Sequence, residues 1–140
     1  MIAKSKILFL VAFFLLTAPT WPQDAADEMP VLGAGERFAV AEGIYGTWEF
    51  TQKPQIGMVI LKVQLFDKKG VKISPLTITG RADMPSMRGH HDSGAIPFKL
   101  NKSRNYLLPI HIVMPGDWEI ELVFHAGEQV VFRGVIRFDV

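Results

Sequence analysis

The chain has 140 residues, with 15 Lys and Arg against 14 Asp and Glu, and it contains no cysteine. A chain of this length builds a single domain, and its near-balanced charge lacks the basic excess that nucleic-acid binding requires. The absence of cysteine excludes disulfides, cysteine nucleophiles, thiolate zinc sites and the cysteine-ligated blue-copper centre.

Residues 1–26 have the layout of a secretory signal peptide. Lys4 and Lys6 precede an apolar run at residues 7–16, which Pro19 and Pro22 then end. Signal peptides combine a basic start with about 7–15 apolar residues, whereas a membrane span needs roughly 20. We therefore predict export to the periplasm or another extracytoplasmic compartment, with an uncleaved signal-anchor as the alternative. Removing residues 1–26 leaves basic and acidic residues equal in number.

The rest of the chain alternates apolar and polar residues with period two, which is typical of strands. Residues 27–43 are predicted to be an N-terminal tether with a short strand at 37–41. Further strands are predicted at 45–52, 56–67, 71–82, 98–101, 106–114, 117–125 and 130–140. The predicted inward residues include Trp48, Val59, Leu61, Val63, Leu65, Trp118, Val130, Phe132, Ile136 and Phe138. Residues 44–140 thus indicate an all-β fold, a single immunoglobulin-like antiparallel β-sandwich of about seven strands.

The loop at residues 83–97 carries the side chains that suggest metal chemistry. It opens within the sequence ADMPSMRGHHD (82–92), where two thioethers, Met84 and Met87, are followed by the imidazoles of His90 and His91. Thioether sulfur selects Cu(I) over harder ions. Met84 lies two residues after Ala82, so strand alternation would point it inward as well. Met87 lies in the loop, where no strand face would bury it. Two interpretations stay open: a Cu(I) site, or a structural loop that covers the open end of the sandwich.

Other candidate residues are weaker. Met114 precedes a Pro-Gly turn and would be a further copper ligand if that strand end reaches the loop, although a core position is the alternative. His111 lies opposite the core face and His125 begins a hairpin turn, so both are predicted to be solvated. The chain has no G-x-S-x-G nucleophile motif and no carboxylate cluster for a catalytic metal. We therefore predict that it is not an enzyme.

Two short motifs, DMPSM at 83–87 and MPGDW at 114–118, resemble the signatures of the YtkA-like domain family. The resemblance covers about residues 44–140 and extends to FixH-type accessory proteins of cytochrome oxidase assembly and to heavy-metal efflux modules. It implies copper handling in the cell envelope. It puts Met84, Pro85 and Met87 in one signature, and Met114, Gly116 and Trp118 in the other. Members often have a glycine between the second Met and the first His, where this chain has Arg88 and Gly89. A cation at Arg88 would disfavour a nearby copper ion unless Asp83 or Asp92 offsets its charge.

These observations lead to two hypotheses. In the first, the protein is an exported monomer that binds Cu(I) through Met84, Met87, His90, His91 and Met114, and delivers or buffers copper for an oxidase-assembly or efflux partner. In the second, it is a metal-free interaction module whose 83–97 loop and strand edges dock on a membrane or efflux complex, with the methionines as adaptable apolar contacts.

Overall fold

The computed structural model describes residues 28–140, so the predicted signal peptide lies outside the described residues. The first sheet contains β1 (Phe38–Ala41), β2 (Ile44–Phe50), β3 (Gly57–Phe66), β4 (Lys72–Ile73), β7 (Lys99–Leu100) and β8 (Tyr106–Ile112). The second contains β5 (Thr77–Asp83), β6 (Ile96–Pro97), β9 (Asp117–Ala126) and β10 (Gln129–Asp139). A 3-10 turn at Pro85–Met87 is the one helical element between residues 28 and 140, and no helix there is long and apolar enough to cross a membrane.

The two sheets pack as an antiparallel β-sandwich, as predicted. The first sheet has the order β1-β2-β3-β8-β7, with β4 added on β3, and the second has the order β10-β9-β5-β6. Strands β2, β3, β8 and β7 follow the order A-B-E-D of an immunoglobulin domain, while β5, β9 and β10 follow its C-F-G sheet. The predicted strand count of about seven matches the strands of four or more residues. The described chain has ten because the predicted strand at 71–82 is divided at Pro75 into β4 and β5, and because β6, only two residues long, was not predicted.

The core lies between the inner faces of the two sheets. Period-two alternation on β3 buries Val59, Leu61, Val63 and Leu65 completely, as predicted. From the second sheet, β9 contributes Trp118, Ile120, Leu122 and Phe124. Full burial of one such side chain is worth about 1.5–3 kcal/mol. The Tyr106 hydroxyl, also buried, donates to the Leu76 carbonyl at 2.7 Å.

Strand β10 departs from the predicted pattern at its start. Val130, predicted to face inward, is 38% exposed, because a bulge between Val130 and Phe132 shifts the register against β9. Farther along, Val135 is buried beneath the segment before β1, whose Leu32 N–H donates to the Val135 carbonyl at 2.8 Å. Leu32 is itself buried, and its carbonyl accepts from Trp48 Nε1 at 3.1 Å. The predicted tether therefore packs on the sandwich, and its short strand is β1.

Strand β8 has one free edge near its end. Strand β7 pairs only with Tyr106 and Leu107, so among the described strands residues 108–112 pair with β3 alone. Pro109 lies in this stretch and has no N–H to offer a further strand, which is how edge strands are commonly protected.

Candidate functional site

The 83–97 loop lies beside the turn that joins β8 to β9. The Ser86 N–H donates to Asp117 Oδ2 at 3.0 Å, and the Ser86 hydroxyl donates to the other oxygen of the same carboxylate. On the same side, a Cβ built on Gly116 would come within 2.8 Å of the Met84 Cε atom. The strand end that carries Met114 therefore reaches the loop, which was the condition for Met114 to join the copper site.

Backbone hydrogen bonds define the shape of the loop. Asp83 Oδ1 accepts from the Met84 N–H at 2.9 Å and Oδ2 accepts from the Gly89 N–H at 3.1 Å. The Met87 N–H donates to the Met84 carbonyl at 3.0 Å, and the His90 N–H donates to the Met87 carbonyl at 3.1 Å. These bonds build two consecutive turns that close on the Asp83 carboxylate.

Met84 is a core residue. Its side chain is 2% exposed and continues the inward face of β5, as its parity predicts. Gly116 permits this packing for two reasons: its φ of +136° is a conformation that side-chain-bearing residues rarely adopt, and a Cβ there would collide with Met84. Gly116 also exchanges two backbone hydrogen bonds with Val140, which attaches the chain end beside the loop.

The remaining predicted ligands lie nearer the surface, and two of them are next to Trp118. Met87 and Met114 are half-buried and pack against the core, while His90 is exposed. His91 is half-buried, with its ring centroid 6.4 Å from that of Trp118. Trp118 Nε1 donates to the Met114 carbonyl at 3.1 Å. Trp118 thus connects the loop histidine with the turn that carries Met114.

Arg88 points to the outer surface of the second sheet and forms an ion pair there. Its guanidinium forms an ion pair with the buried carboxylate of Glu119 at 3.0 Å, and Arg137 pairs with the same carboxylate at 2.9 Å. The counter-charge of Arg88 is therefore Glu119, and neither Asp83 nor Asp92. Asp83 is occupied by backbone N–H groups and Asp92 pairs with Arg81.

Two loop carboxylates have lowered pKa values because they accept hydrogen bonds. The Arg81 guanidinium, followed by the Gly94 N–H, lowers the pKa of Asp92 from 3.8 to about 2. The Ser86 hydroxyl lowers the pKa of Asp117. Both carboxylates are therefore ionised at neutral pH and hold the loop in place through these bonds.

A pocket beside the loop contains Met58, which the sequence did not single out, and His111, which the sequence predicted only to be solvated. The pocket has a volume of about 270 Å³ and is lined by Met58, Ala82, His91, Ser93, Ile96, Leu108, Pro109, Ile110, His111 and Trp118. His111 is exposed on the outer face, as predicted, but it lies opposite Met58 in the β3–β8 register. The alternation along β3 and β8 predicts only that both side chains face outward. Their proximity to His91 depends on how the loop folds.

The donor set at this end of the sandwich suits a soft metal ion. Within residues 28–140, no three His, Asp or Glu side chains converge in a way that could hold a metal. The available donors are thioethers and imidazoles, a combination that fits copper better than calcium, magnesium or a tetrahedral zinc site. The sequence matches no protein-family model, and comparison with curated proteins and with solved structures finds no similar chain.

Proposed function

We propose that this chain is an exported cell-envelope protein that binds Cu(I) at the Met/His end of its sandwich, comprising Met84, Met87, His90, His91 and Met114. The observation that carries the proposal is the meeting of the 83–97 loop with the β8–β9 turn, which brings thioethers and an imidazole to one end of the fold. The resemblance to YtkA-like domains points to the same chemistry.

The five residues differ in accessibility, and we assign their roles accordingly. Met87, Met114 and His91 are half-buried, so they combine a defined position with an open side and are the proposed ligands. His90 is exposed and is available as a further ligand. Met84 is buried beneath them, and its proposed role is to support the loop by packing. Thioethers need no deprotonation, so Cu(I) binding at Met87 and Met114 does not compete with protons.

A carrier or accessory role suits this site better than catalysis. The half-buried ligands lie at the surface, where an incoming partner site can approach the ion and replace the ligands one at a time. Arg88, the nearest cation in the loop sequence, is paired with Glu119, which reduces its repulsion of a cuprous ion. The proposed partner is an oxidase-assembly or efflux protein that receives copper.

The test is a Cu(I) titration of the purified protein under reducing conditions, in competition with a Cu(I) chelator. Met87→Leu and His91→Ala are each expected to weaken Cu(I) binding by about tenfold or more, since losing even an outer partner of a ligand costs about 10–100-fold. Met29→Leu and His125→Ala are the matched controls, because both residues lie at the Val130 end of β10. Wild-type affinity in the loop variants would refute the proposed site.

A second function, docking without metal, is favoured by one observation. Five exposed apolar residues form what we call the apolar strip on the outside of β3 and β8: Ile56, Met58, Ile60, Pro109 and Val113. Contiguous exposed apolar surface commonly marks an interaction site. In this alternative the strip and the neighbouring loop contact a membrane-bound partner, and Ile56→Thr/Val113→Thr abolishes that contact without changing copper affinity.

A further inference from the structure

The pocket beside the loop extends along the free edge of β8. Its lining includes both the inward residues Leu108 and Ile110 and the outward residues Pro109 and His111, so it passes from between the sheets to the outer surface. Ala82 and Trp118, both buried, also line it. An apolar interior with a few polar groups is the usual arrangement of a binding site.

Three of the lining side chains are metal donors, and they come from three separate segments. His91 comes from the loop, His111 from β8 and Met58 from β3. Met58 and His111 are directly opposite each other in the antiparallel register, where Cβ atoms are about 4.5–5.5 Å apart. His91 lines the same pocket, with its ring against that of Trp118.

We propose that this pocket is a second copper site, in which His91 and His111 bind Cu(II) and the Met58 thioether is a third, weaker donor. Imidazole nitrogen is a good ligand for Cu(II), and thioether sulfur adds affinity mainly for the reduced ion. A set of two imidazoles and one thioether therefore favours copper over the other divalent metals.

This site goes beyond the proposed function because it uses β3 and β8, neither of which contributes to Cu(I) binding by Met87 and Met114. His91 is shared between the two sites. The two sites therefore compete for one imidazole. The sharing also means that His111, and not His91, is the residue that distinguishes the two sites experimentally.

The test is a Cu(II) titration of the purified protein, followed by tryptophan fluorescence and by nitrogen hyperfine coupling in the electron paramagnetic resonance spectrum. Cu(II) bound in the pocket is expected to quench Trp118, which lines it. His111→Ala is expected to weaken Cu(II) binding by about tenfold or more and to remove one coupled nitrogen. Met58→Leu should have a smaller effect, because the thioether prefers Cu(I). His125→Ala is the control, since His125 pairs with Val130 at the other end of the sandwich.

The outcomes separate this proposal from the Cu(I) proposal. Wild-type Cu(II) affinity and an unchanged spectrum in His111→Ala would overturn the second site, whatever Met87→Leu does to Cu(I). Conversely, loss of Cu(II) binding in His111→Ala, together with wild-type Cu(I) affinity in Met87→Leu, would support the pocket and refute the thioether site. His111 is exposed, so its replacement is not expected to unfold the protein.

Discussion

The outer surfaces of the two sheets differ near the Met/His end, although both inner faces are apolar. Six charged residues lie on the outer face of β5, β9 and β10: Arg81, Asp83, Glu119, Glu121, Arg133 and Arg137. Ion pairs join Arg133 to Glu121 and Arg137 to Glu119 on this charged face. Outside β3 and β8, the apolar strip stands exposed near the Met/His end. The buried inner faces stabilise the fold, whereas the outer surfaces are the parts that other molecules can reach.

The 83–97 loop joins these two surfaces. Near its start, Arg88 reaches Glu119 on the charged face, and near its end Ile96 and His91 line the pocket at the free edge of β8. The charged face thus anchors one part of the loop while the other part borders the apolar strip. In the proposed function, this arrangement holds the copper ligands next to a surface suited to a partner protein.

Loss of the Met84 side chain is expected to have the largest effect, because it is the buried anchor of the loop between the two surfaces. Met84→Ala would leave a cavity beneath Gly116 and lower the free energy of unfolding by about 2–5 kcal/mol. Met84→Leu nearly preserves volume and should cost less than about 1.5 kcal/mol. Chemical denaturation of both variants measures the difference. Equal stability of Met84→Ala and Met84→Leu would mean that the volume of the Met84 side chain does not contribute to stability.

Met84 also shows how far the sequence could predict the site. Period-two alternation correctly put Met84 on the inward face of β5, because parity along one strand is a local property. The ion pair between Arg88 and Glu119 joins residues 31 positions apart along the chain, so local pattern gave no sign of it. The meeting of His91 with Met58 and His111 depends on strand register and loop shape. Val130 was predicted wrongly because a bulge between Val130 and Phe132 puts it out of phase with the inward residues that follow.

The second prediction is that acid weakens the ion pair between Asp92 and Arg81. The Asp92 pKa is about 2 in the folded protein and 3.8 for the free side chain, so its bond to Arg81 stabilises the fold fully above pH 3.8. This contribution falls as the pH drops from 3.8 to about 2 and is absent below that range. In Arg81→Gln, the Asp92 pKa is expected to move up towards 3.8, as measured by carboxyl-carbon NMR titration.

The control for this prediction is Arg133→Gln, which removes a guanidinium from the same face but from a different partner, Glu121. It should leave the titration of Asp92 unchanged. The Gly94 N–H still donates to Asp92 at 2.8 Å when Arg81 is replaced, so the shift in Arg81→Gln is expected to be partial. An unchanged Asp92 pKa in Arg81→Gln would show that the lowering comes from the backbone bond alone.

The smallest effect on stability is expected on the apolar strip. Ile56 and Val113 are 60% and 47% exposed, so the double variant Ile56→Thr/Val113→Thr removes apolar surface while keeping β-branched side chains. Each substitution should change the free energy of unfolding by less than about 0.5 kcal/mol. If the strip contacts a partner, association with isolated envelope membranes, measured by co-sedimentation, should fall several-fold. Val71→Thr, at a comparably exposed position outside the strip, should behave as wild type. Equal sedimentation of all three proteins would contradict a docking role for the strip.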